Sequence, residues 1–553
     1  MQKAMNIHLI DYQLHISETN HTEVYFKGHV DQYKYPVLSD WLGSIEENVS
    51  NTKVHFTDFL ADELKHISGM FSLIIRNGDR YYIATDIIRC YPVFYGFSSD
   101  QFFVTDDLNS YQDRNGLLKI NNDNLEEYIA SGFVYAHKTV FENVYATQAG
   151  EIVEVGENKI SSKRYFKFMP SLIQISYNSD KEFSQSLDNV LTSVFRRMIN
   201  TTPEVNRWVV PLSGGHDSRL IINYLFRLGI KNVFCYSYGM AGNEQSRLSE
   251  QVANALGYEW HFVEYTEQKW QKLHEQGIID EFLLYSFNGV SIPHLQDFLA
   301  IHELKEKGVL KEFDFIIPGH TFDFLVGSNL ELADLKCTCK EMAVKRTMLM
   351  HTRITDKRRT PVKEIEDIFT SSGVDPAHFQ EYFNWQEKRA KFLVNACKGY
   401  QFLGFGFRLP FWDKEIVDFW LAISDQDRIG RRIFFETEKL GVLVYELIKI
   451  PFFGKDDRVN TNFLEKILRF ILPGFVKTII LKITAHKAKY NAGLNQIYAY
   501  KKSTIKEMLK PIDSFPANVR CYFNDYLNRF PFQVDYHFMT SLYTIRKQLD
   551  KAQ

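Results

Sequence analysis

Residues 209 to 220 read Val209-Val210-Pro211-Leu212-Ser213-Gly214-Gly215-His216-Asp217-Ser218-Arg219-Leu220, an apolar strand running into Ser-Gly-Gly-x-Asp-Ser and then into an amphipathic helix. The paired glycines let the backbone turn tightly and present N–H groups to an anion. Ser213 and Ser218 add hydroxyl donors, and the helix N-terminus adds partial positive charge. Strand, glycine turn and helix in that order place a phosphate-binding loop at the carboxyl end of a strand, the ligand position of open α/β sheets. A bare Ser-Gly-Gly is ordinarily only a tight turn. Asp217, Ser218 and the flanking strand and helix tip the reading to a cradle for phosphate or pyrophosphate. The spacing is not the Gly-x-x-x-x-Gly-Lys-Ser/Thr of the Walker loop, and Asp217 stands where a metal would neutralise phosphate.

At 553 residues the chain exceeds what one hydrophobic core usually supports, so two domains are expected. Segments of strand character fill the first 165 residues: Phe71 to Arg76, Tyr81 to Thr85 and Phe102 to Thr105, with Asn77-Gly78-Asp79 as a turn. They predict hairpins in a layered, mostly antiparallel domain. From about 180 the rhythm changes. A helix over Phe183 to Ile199 precedes the loop strand, followed by a helix from Arg219 to Leu228, a strand from Asn232 to Tyr238, a helix from Gln245 to Leu256 and a strand from Trp260 to Tyr265. That alternation predicts a doubly wound parallel sheet.

Composition excludes several classes. A net charge of −3 speaks against a nucleic-acid-coating protein, and 45% hydrophobic with 15% aromatic residues is far from disorder. No apolar run is long enough to span a bilayer and Met1 to Asn6 hold no signal-peptide core, so a cytoplasmic location is expected. The six cysteines are scattered; the close pair Cys337 and Cys339 lacks partners at zinc spacing.

Four segments in order resemble the synthetase domain of the asparagine synthetase family, whose relatives include β-lactam synthetases and lasso-peptide cyclases. Ser213 to Ser218 resemble its pyrophosphate loop, and Tyr236-Ser237-Tyr238-Gly239 with Gly242-Asn243-Glu244 and Val252 to Gly257 resemble its second strand and succeeding helix. Pro318-Gly319-His320-Thr321-Phe322-Asp323 to Ser328 resemble its Gly-x-Gly-x-Asp-Glu-x-x-Gly-Gly segment, and Phe407-Arg408-Leu409-Pro410-Phe411 to Val417 its Arg-Val-Pro-Phe-Leu-Asp stretch, which shapes the acceptor side in the family. Before them Gly69-Met70-Phe71-Ser72, Ala84-Thr85-Asp86, Cys90-Tyr91-Pro92-Val93-Phe94-Tyr95, Val104-Thr105-Asp106 and Thr139 to Gly150 resemble the family's glutamine-hydrolysing domain. That glutaminase uses a cysteine as the first residue of the mature chain, whose amino group serves as base. Here the first cysteine is Cys90, within a strand-like segment, so a retained scaffold without glutaminase activity is expected.

The resemblance implies an α/β architecture: residues 1–170 a layered antiparallel, Ntn-hydrolase-like, degenerate glutamine-amidotransferase domain, residues 180–455 a doubly wound ATP-pyrophosphatase domain, and residues 456–553 a helical extension packed on the synthetase domain. It further implies ATP bound by Leu212, Ser213, Gly214, Gly215, Asp217, Ser218, Tyr238, Pro318 and Gly319, and Mg²⁺ held by Asp217 and Asp323. Each aspartate alone reads more simply as a helix N-cap. The implied reaction is AMP-forming amide ligation: a carboxylate is adenylated with release of pyrophosphate, and ammonia or an amine then displaces AMP. His320 stands where relatives place the base, although a lone histidine is as often structural. Lys455, or else Lys449, stands near the place of the family's oxyanion-stabilising lysine, although most lysines are only solvated charges. Arg219 replaces a small residue of the family, with a side chain expected to alter how phosphates or acid are held.

The acid is a small-molecule or carrier-linked carboxylate, a sugar carboxylate of surface-polysaccharide synthesis by analogy, and a separate ammonia-supplying partner and a homodimer stay open. Lys466 to Lys489 interleave lysines with apolar residues; a helix pair with its apolar face inward is the simpler reading, a membrane- or carrier-docking surface the alternative. Two other functions remain open from sequence: an intramolecular amide-forming cyclase, and a non-catalytic nucleotide-binding scaffold.

Overall fold

The computed structural model describes residues 6–16, 22–32, 38–49, 55–98, 101–156, 159–351, 362–437, 441–453 and 536–550. The N-terminal strands are β1 (Asn6–His8), β2 (Gln13–Ile16), β3 (Glu23–Gln32), β4 (Ser68–Asn77), β5 (Arg80–Thr85), β6 (Phe94–Ser98), β7 (Gln101–Thr105), β8 (Val144–Ala146), β9 (Glu151–Val155) and β10 (Ile160–Arg164). They form a six-stranded antiparallel sheet, β10-β9-β5-β4-β3-β2, and a four-stranded sheet, β1-β7-β6-β8, in which only β1 and β7 run parallel. Strand alternation explains the layering. Ile74, Ile83 and Val153 face Tyr95, Phe102 and Val104 between the sheets. The neighbouring positions Leu73, Ile75 and Tyr82 turn to a second core with the helices Leu38–Val49 and Phe56–Lys65. Phe103 likewise stacks on Tyr111 of the helix Leu108–Asn115 at 4.1 Å.

The third sheet is wholly parallel: β11 (Arg207–Pro211), β12 (Val233–Gly239), β13 (Glu259–Glu264), β14 (Asp314–Ile316) and β15 (Gly406–Phe407), in the spatial order β13-β12-β11-β14-β15. The chain winds outward one way from β11 and then returns beside it with β14, so the topological switch point lies between β11 and β14. The expected helix at 219 begins three residues earlier: it spans His216–Arg227, with Gly215 as N-cap. Asp217 therefore sits in a first helical turn, where the helix dipole favours a carboxylate. The helix at 183–199 runs Asp180–Asn200, Ser179 capping it through the Glu182 amide at 3.2 Å.

The two sheet systems are joined by buried polar contacts. A ten-residue π-helix, Asn384–Leu393, lies at the junction. Its Trp385 donates to the Ile87 carbonyl at 2.8 Å, and its Gln386 accepts from Arg164 at 2.7 Å. Arg408, 1% exposed, ion-pairs with Asp31 of β3. A C-terminal helix, Tyr536–Asp550, packs on both halves rather than on the synthetase domain alone: Tyr543 donates to Asp280 at 2.8 Å, and Gln548 donates to Gln112 at 3.2 Å. The stretch 454–535, with Lys466 to Lys489, lies outside the described residues. Among the described residues, no helix is long and apolar enough to cross a membrane.

Candidate functional site

The loop after β11 is closed by its own serines. The Ser213 amide donates to Ser218 Oγ at 3.0 Å, the two hydroxyls lie 3.1 Å apart, and the Gly215 amide donates to Ser213 Oγ at 3.2 Å. The loop after β14 closes over it. A β-carbon on Gly319 would stand 2.9 Å from the Ser218 amide nitrogen and 3.2 Å from Asp217 Cβ, so glycine is what lets the two loops touch. Gly214 is needed for a similar reason: a β-carbon there would press on Phe453 and Leu248 at 3.0 and 3.1 Å. Between the loops, over the switch point, opens a cavity of ≈ 350 Å³ lined by Ser213, Gly215, Asp217, Ser218, Tyr238, Pro318, Gly319 and His320.

This contact brings the two aspartates together. The Asp323 amide donates to Asp217 Oδ2 at 3.2 Å, and Ser328 Oγ donates to Asp323 Oδ2 at 2.9 Å. Burial, and the Asp323 carboxylate beside it, push the Asp217 carboxyl well above the ordinary range. Two carboxylates without histidine or thiolate suit a hard cation such as Mg²⁺, which completes its shell with phosphate oxygens and water. Among the described residues no larger group of metal-ligating side chains forms. Arg389 of the π-helix lies with Nη1 3.8 Å from Asp323 and donates to Asn329 at 3.0 Å.

The remaining walls come from β12 and two loops. Tyr238 stacks on Tyr265 at 5.2 Å. Asp297, 7% exposed, accepts from Tyr400 at 2.7 Å and Tyr236 at 3.3 Å, and burial pushes its carboxyl up to about 6. His294 and His320 both line the cavity, and burial pushes both imidazoles down, to about 4 and about 3, so both are neutral bases at physiological pH. Nδ1 of His320 is buried with no hydrogen-bond partner among the described residues.

Of the residues singled out from sequence, Ser213, Gly215, Asp217, Ser218, Tyr238, Pro318, Gly319 and His320 share the cavity wall. Leu212, buried, anchors the loop through its amide to the Tyr236 carbonyl at 2.8 Å, and Gly214 backs it. Lys449 does not join them. It is exposed, its Nζ resting 3.9 Å from the centre of the Tyr445 ring, because the helix Tyr445–Ile448 turns that face to solvent. Lys455 lies outside the described residues. Arg219 also departs from expectation. Fully buried, it points away from the cavity and donates to the carbonyls of Ile450 at 2.6 Å and Pro451 at 2.8 Å, with its guanidinium 3.8 Å over Phe452. Arg408 faces the N-terminal domain rather than the cavity.

Sequence reasoning missed Arg431, His294, Gln296 and Asp297 of the lining and Arg389 behind it. Arg431 carries a left-handed backbone, φ 59°, for which the following Arg432 gives no local cue. Cys90, in the N-terminal domain, is buried; its amide donates to Asp86 at 3.1 Å, and burial with that carboxylate raises its thiol well above the ordinary value.

A sequence profile described as a glutamine amidotransferase domain matches residues 54–166. Among curated proteins, the chain is similar to asparagine synthetase [glutamine-hydrolyzing] 1 of Bacillus subtilis (strain 168), 26% identical over 212 residues that cover 37% of this chain and 32% of the relative. The chain thus spans about a third of the length of the curated relative it matches. Solved structures that are similar include the NH3-dependent NAD synthetase from Campylobacter jejuni subsp. jejuni NCTC 11168, with 16% identity, a TM-score of 0.21, and 39% of this chain and 96% of that chain covered. The NMN synthetase from Francisella tularensis follows with 14% identity, a TM-score of 0.20, and 38% and 93% covered. By its sequence likeness the chain is asparagine-synthetase-like, with an N-terminal domain of the glutamine-amidotransferase kind.

Proposed function

We propose that the protein is an ATP-dependent ligase that forms an amide through an acyl-adenylate and does not make its own ammonia. The observation that carries this reading is the meeting of Asp217 and Asp323, from two loops at one switch point, above a cavity walled by a serine-glycine loop. In the first step a carboxylate oxygen of the substrate attacks the α-phosphorus of ATP; the bond from that phosphorus to the bridging oxygen breaks, and pyrophosphate leaves. The amino end of the helix His216–Arg227 and the Ser213 and Ser218 hydroxyls in the cavity wall are placed toward the charge that gathers on the leaving group. Asp217 and Asp323 would hold Mg²⁺, which when bound would neutralise charge on the phosphate oxygens. In the second step the amine nitrogen attacks the acyl carbon, a C–N bond forms, and the C–O bond to AMP breaks. His320, in the cavity wall with Nδ1 buried and without a hydrogen-bond partner among the described residues, is placed to take the amine proton. Arg431, in the same wall, takes the cationic role expected of a lysine.

The nitrogen comes from outside the N-terminal domain. A glutaminase needs an exposed, low-pKa thiolate, and Cys90, the first cysteine of the chain, is the reverse of that. Free ammonia, ammonia from a partner protein and an amine substrate are all compatible sources, and a small or carrier-linked acid fits the open side of the cavity. The test is mass spectrometry of the purified full chain incubated with ATP, Mg²⁺ and panels of acids and amines. AMP, pyrophosphate and an amide in equal amounts are expected. ADP and phosphate as nucleotide products, or glutamate from glutamine alone, would overturn the reading.

A further inference from the structure

The π-helix Asn384–Leu393 carries buried charge toward both halves of the molecule. Toward the N-terminal domain, Glu387 and Lys391 pair with each other and grip one stretch of backbone. The Ala136 amide donates to Glu387 at 3.0 Å, and Lys391 donates to the carbonyls of Val134 and Ala136 at 2.7 and 2.8 Å. Arg389, about half a turn away on the same helix, reaches the other way. It is 7% exposed, and its Nη1 lies 3.8 Å from the Asp323 carboxylate.

Arg389 is a fixed charge. Its Nε donates to Asn384 at 3.3 Å and its Nη2 to Asn329 at 3.0 Å, while its guanidinium lies 4.8 Å from the centre of the Phe324 ring. Those partners are all neutral, and the carboxylates whose charge acts on it are Asp323 and Asp217. Phe324 follows Asp323 in the short helix Phe322–Leu325, and Ser328 ties the far oxygen of Asp323 at 2.9 Å. Guanidinium and carboxylate are therefore each held in place before any ligand arrives.

The other charged groups around the aspartate pair are few. Arg431, in the cavity wall, is the second cation that acts on Asp217. His294 and His320 are neutral, His216 is stacked on Phe452, and Asp297 is bonded to Tyr236 and Tyr400. A divalent cation added to two aspartates that already face two arginines leaves a surplus of positive charge. In a partly enclosed site such like charges repel strongly. The oxygens of a triphosphate remove that surplus.

We propose that Arg389 is a positioning residue, acting through Asp323, that makes the site's divalent cation depend on nucleotide: its fixed charge holds free Mg²⁺ off the aspartate pair and admits the ion together with a triphosphate. This rests on the ligase reading of Asp217 and Asp323. The probe is Mn²⁺, standing in for Mg²⁺, titrated into the full chain and followed by electron paramagnetic resonance. The wild type is expected to bind Mn²⁺ at least about tenfold more tightly with α,β-methylene-ATP than without nucleotide. Arg389→Gln, which keeps an amide donor and loses the charge, is expected to bind free Mn²⁺ at least about tenfold more tightly than the wild type. Arg389→Lys is expected to keep the weak free binding. A merely structural role has the opposite sign, with Mn²⁺ binding weakened in Arg389→Gln. Equal or weaker free binding in Arg389→Gln, or tight binding by Arg389→Lys, would overturn the proposal and leave the ligase reading standing. So would a wild type that binds Mn²⁺ as tightly without nucleotide as with it, a result that needs no variant to fold. No Mn²⁺ binding by the wild type even with the analogue would overturn both.

Discussion

Asp297 shows how one residue of the site couples chemistry to stability. Its carboxyl is buried beside two tyrosine hydroxyls, and burial lifts its pKa from 3.8 to about 6. The folded protein thus binds this proton more tightly than the unfolded chain. The stability it contributes is complete below pH 3.8 and is lost as the pH rises through about 6. At 1.36 kcal/mol per unit the swing is about 3 kcal/mol. Urea unfolding of the wild type and Asp297→Asn should therefore show the wild type losing about 3 kcal/mol relative to the variant between about pH 4 and pH 7; parallel curves would show that Asp297 is ionised throughout. At this scale much of the site was legible in the sequence, since Ser213, Gly215, Asp217 and Ser218 are contiguous and Gly319 to Asp323 form a second short motif. Asp297 and His294, which come with Gln296 from one loop stretch, and Arg389, from the π-helix, were not, because neither stretch carries a motif of its own.

Among the elements, the segment from Tyr445 to Phe453 explains why a charged residue follows the phosphate loop. Arg219 caps the carbonyls at the end of the helix Tyr445–Ile448, His216 stacks on Phe452 at 3.9 Å, and the Phe453 amide donates to the Gly214 carbonyl at 3.0 Å. The loop and this segment therefore form one unit, with Phe453 in the cavity wall. Arg219→Ala should cost about 2–3 kcal/mol through the carbonyls it leaves unpaired. It should also speed hydrogen exchange at the Phe453 amide; unchanged exchange would mean that the segment is held by other contacts. The strands and helices around the loop were readable from periods of two and 3.6, down to shifts of one to three residues at their ends. The π-helix was not, since its ten residues, with buried Glu387, Arg389 and Lys391, answer to partners in the other domain and carry no local signature.

For the whole molecule, the N-terminal domain is fastened by charges rather than left as a loose appendage. Arg408, in the segment that resembles the acceptor stretch, pairs with Asp31 and donates to Thr202 at 2.5 Å and Thr201 at 3.2 Å; its guanidinium holds the Asp31 carboxyl below the usual range despite burial. Arg408→Leu leaves that carboxylate unpaired and should destabilise the protein by about 3–5 kcal/mol. Asp31→Asn in the same chain should restore part of the loss, and additive effects in denaturant unfolding would mean the pair is not coupled. The change of rhythm near residue 165 coincides with the end of β10 at Arg164. How the halves meet was not, because Arg408 to Asp31 and Gln548 to Gln112 join residues hundreds of positions apart, and single-chain periodicity holds no record of such pairs.

The central proposal is that Asp217 and Asp323 serve ATP cleavage between the α- and β-phosphates. Its most direct test is the exchange of labelled pyrophosphate into ATP by the full chain with Mg²⁺ and a panel of carboxylates. Exchange is predicted to require both the cation and an acid, and to fall at least about a hundredfold in Asp217→Asn, the scale on which loss of one preorganised electrostatic group acts. Exchange that persists in the variant, or that needs no acid, would contradict it.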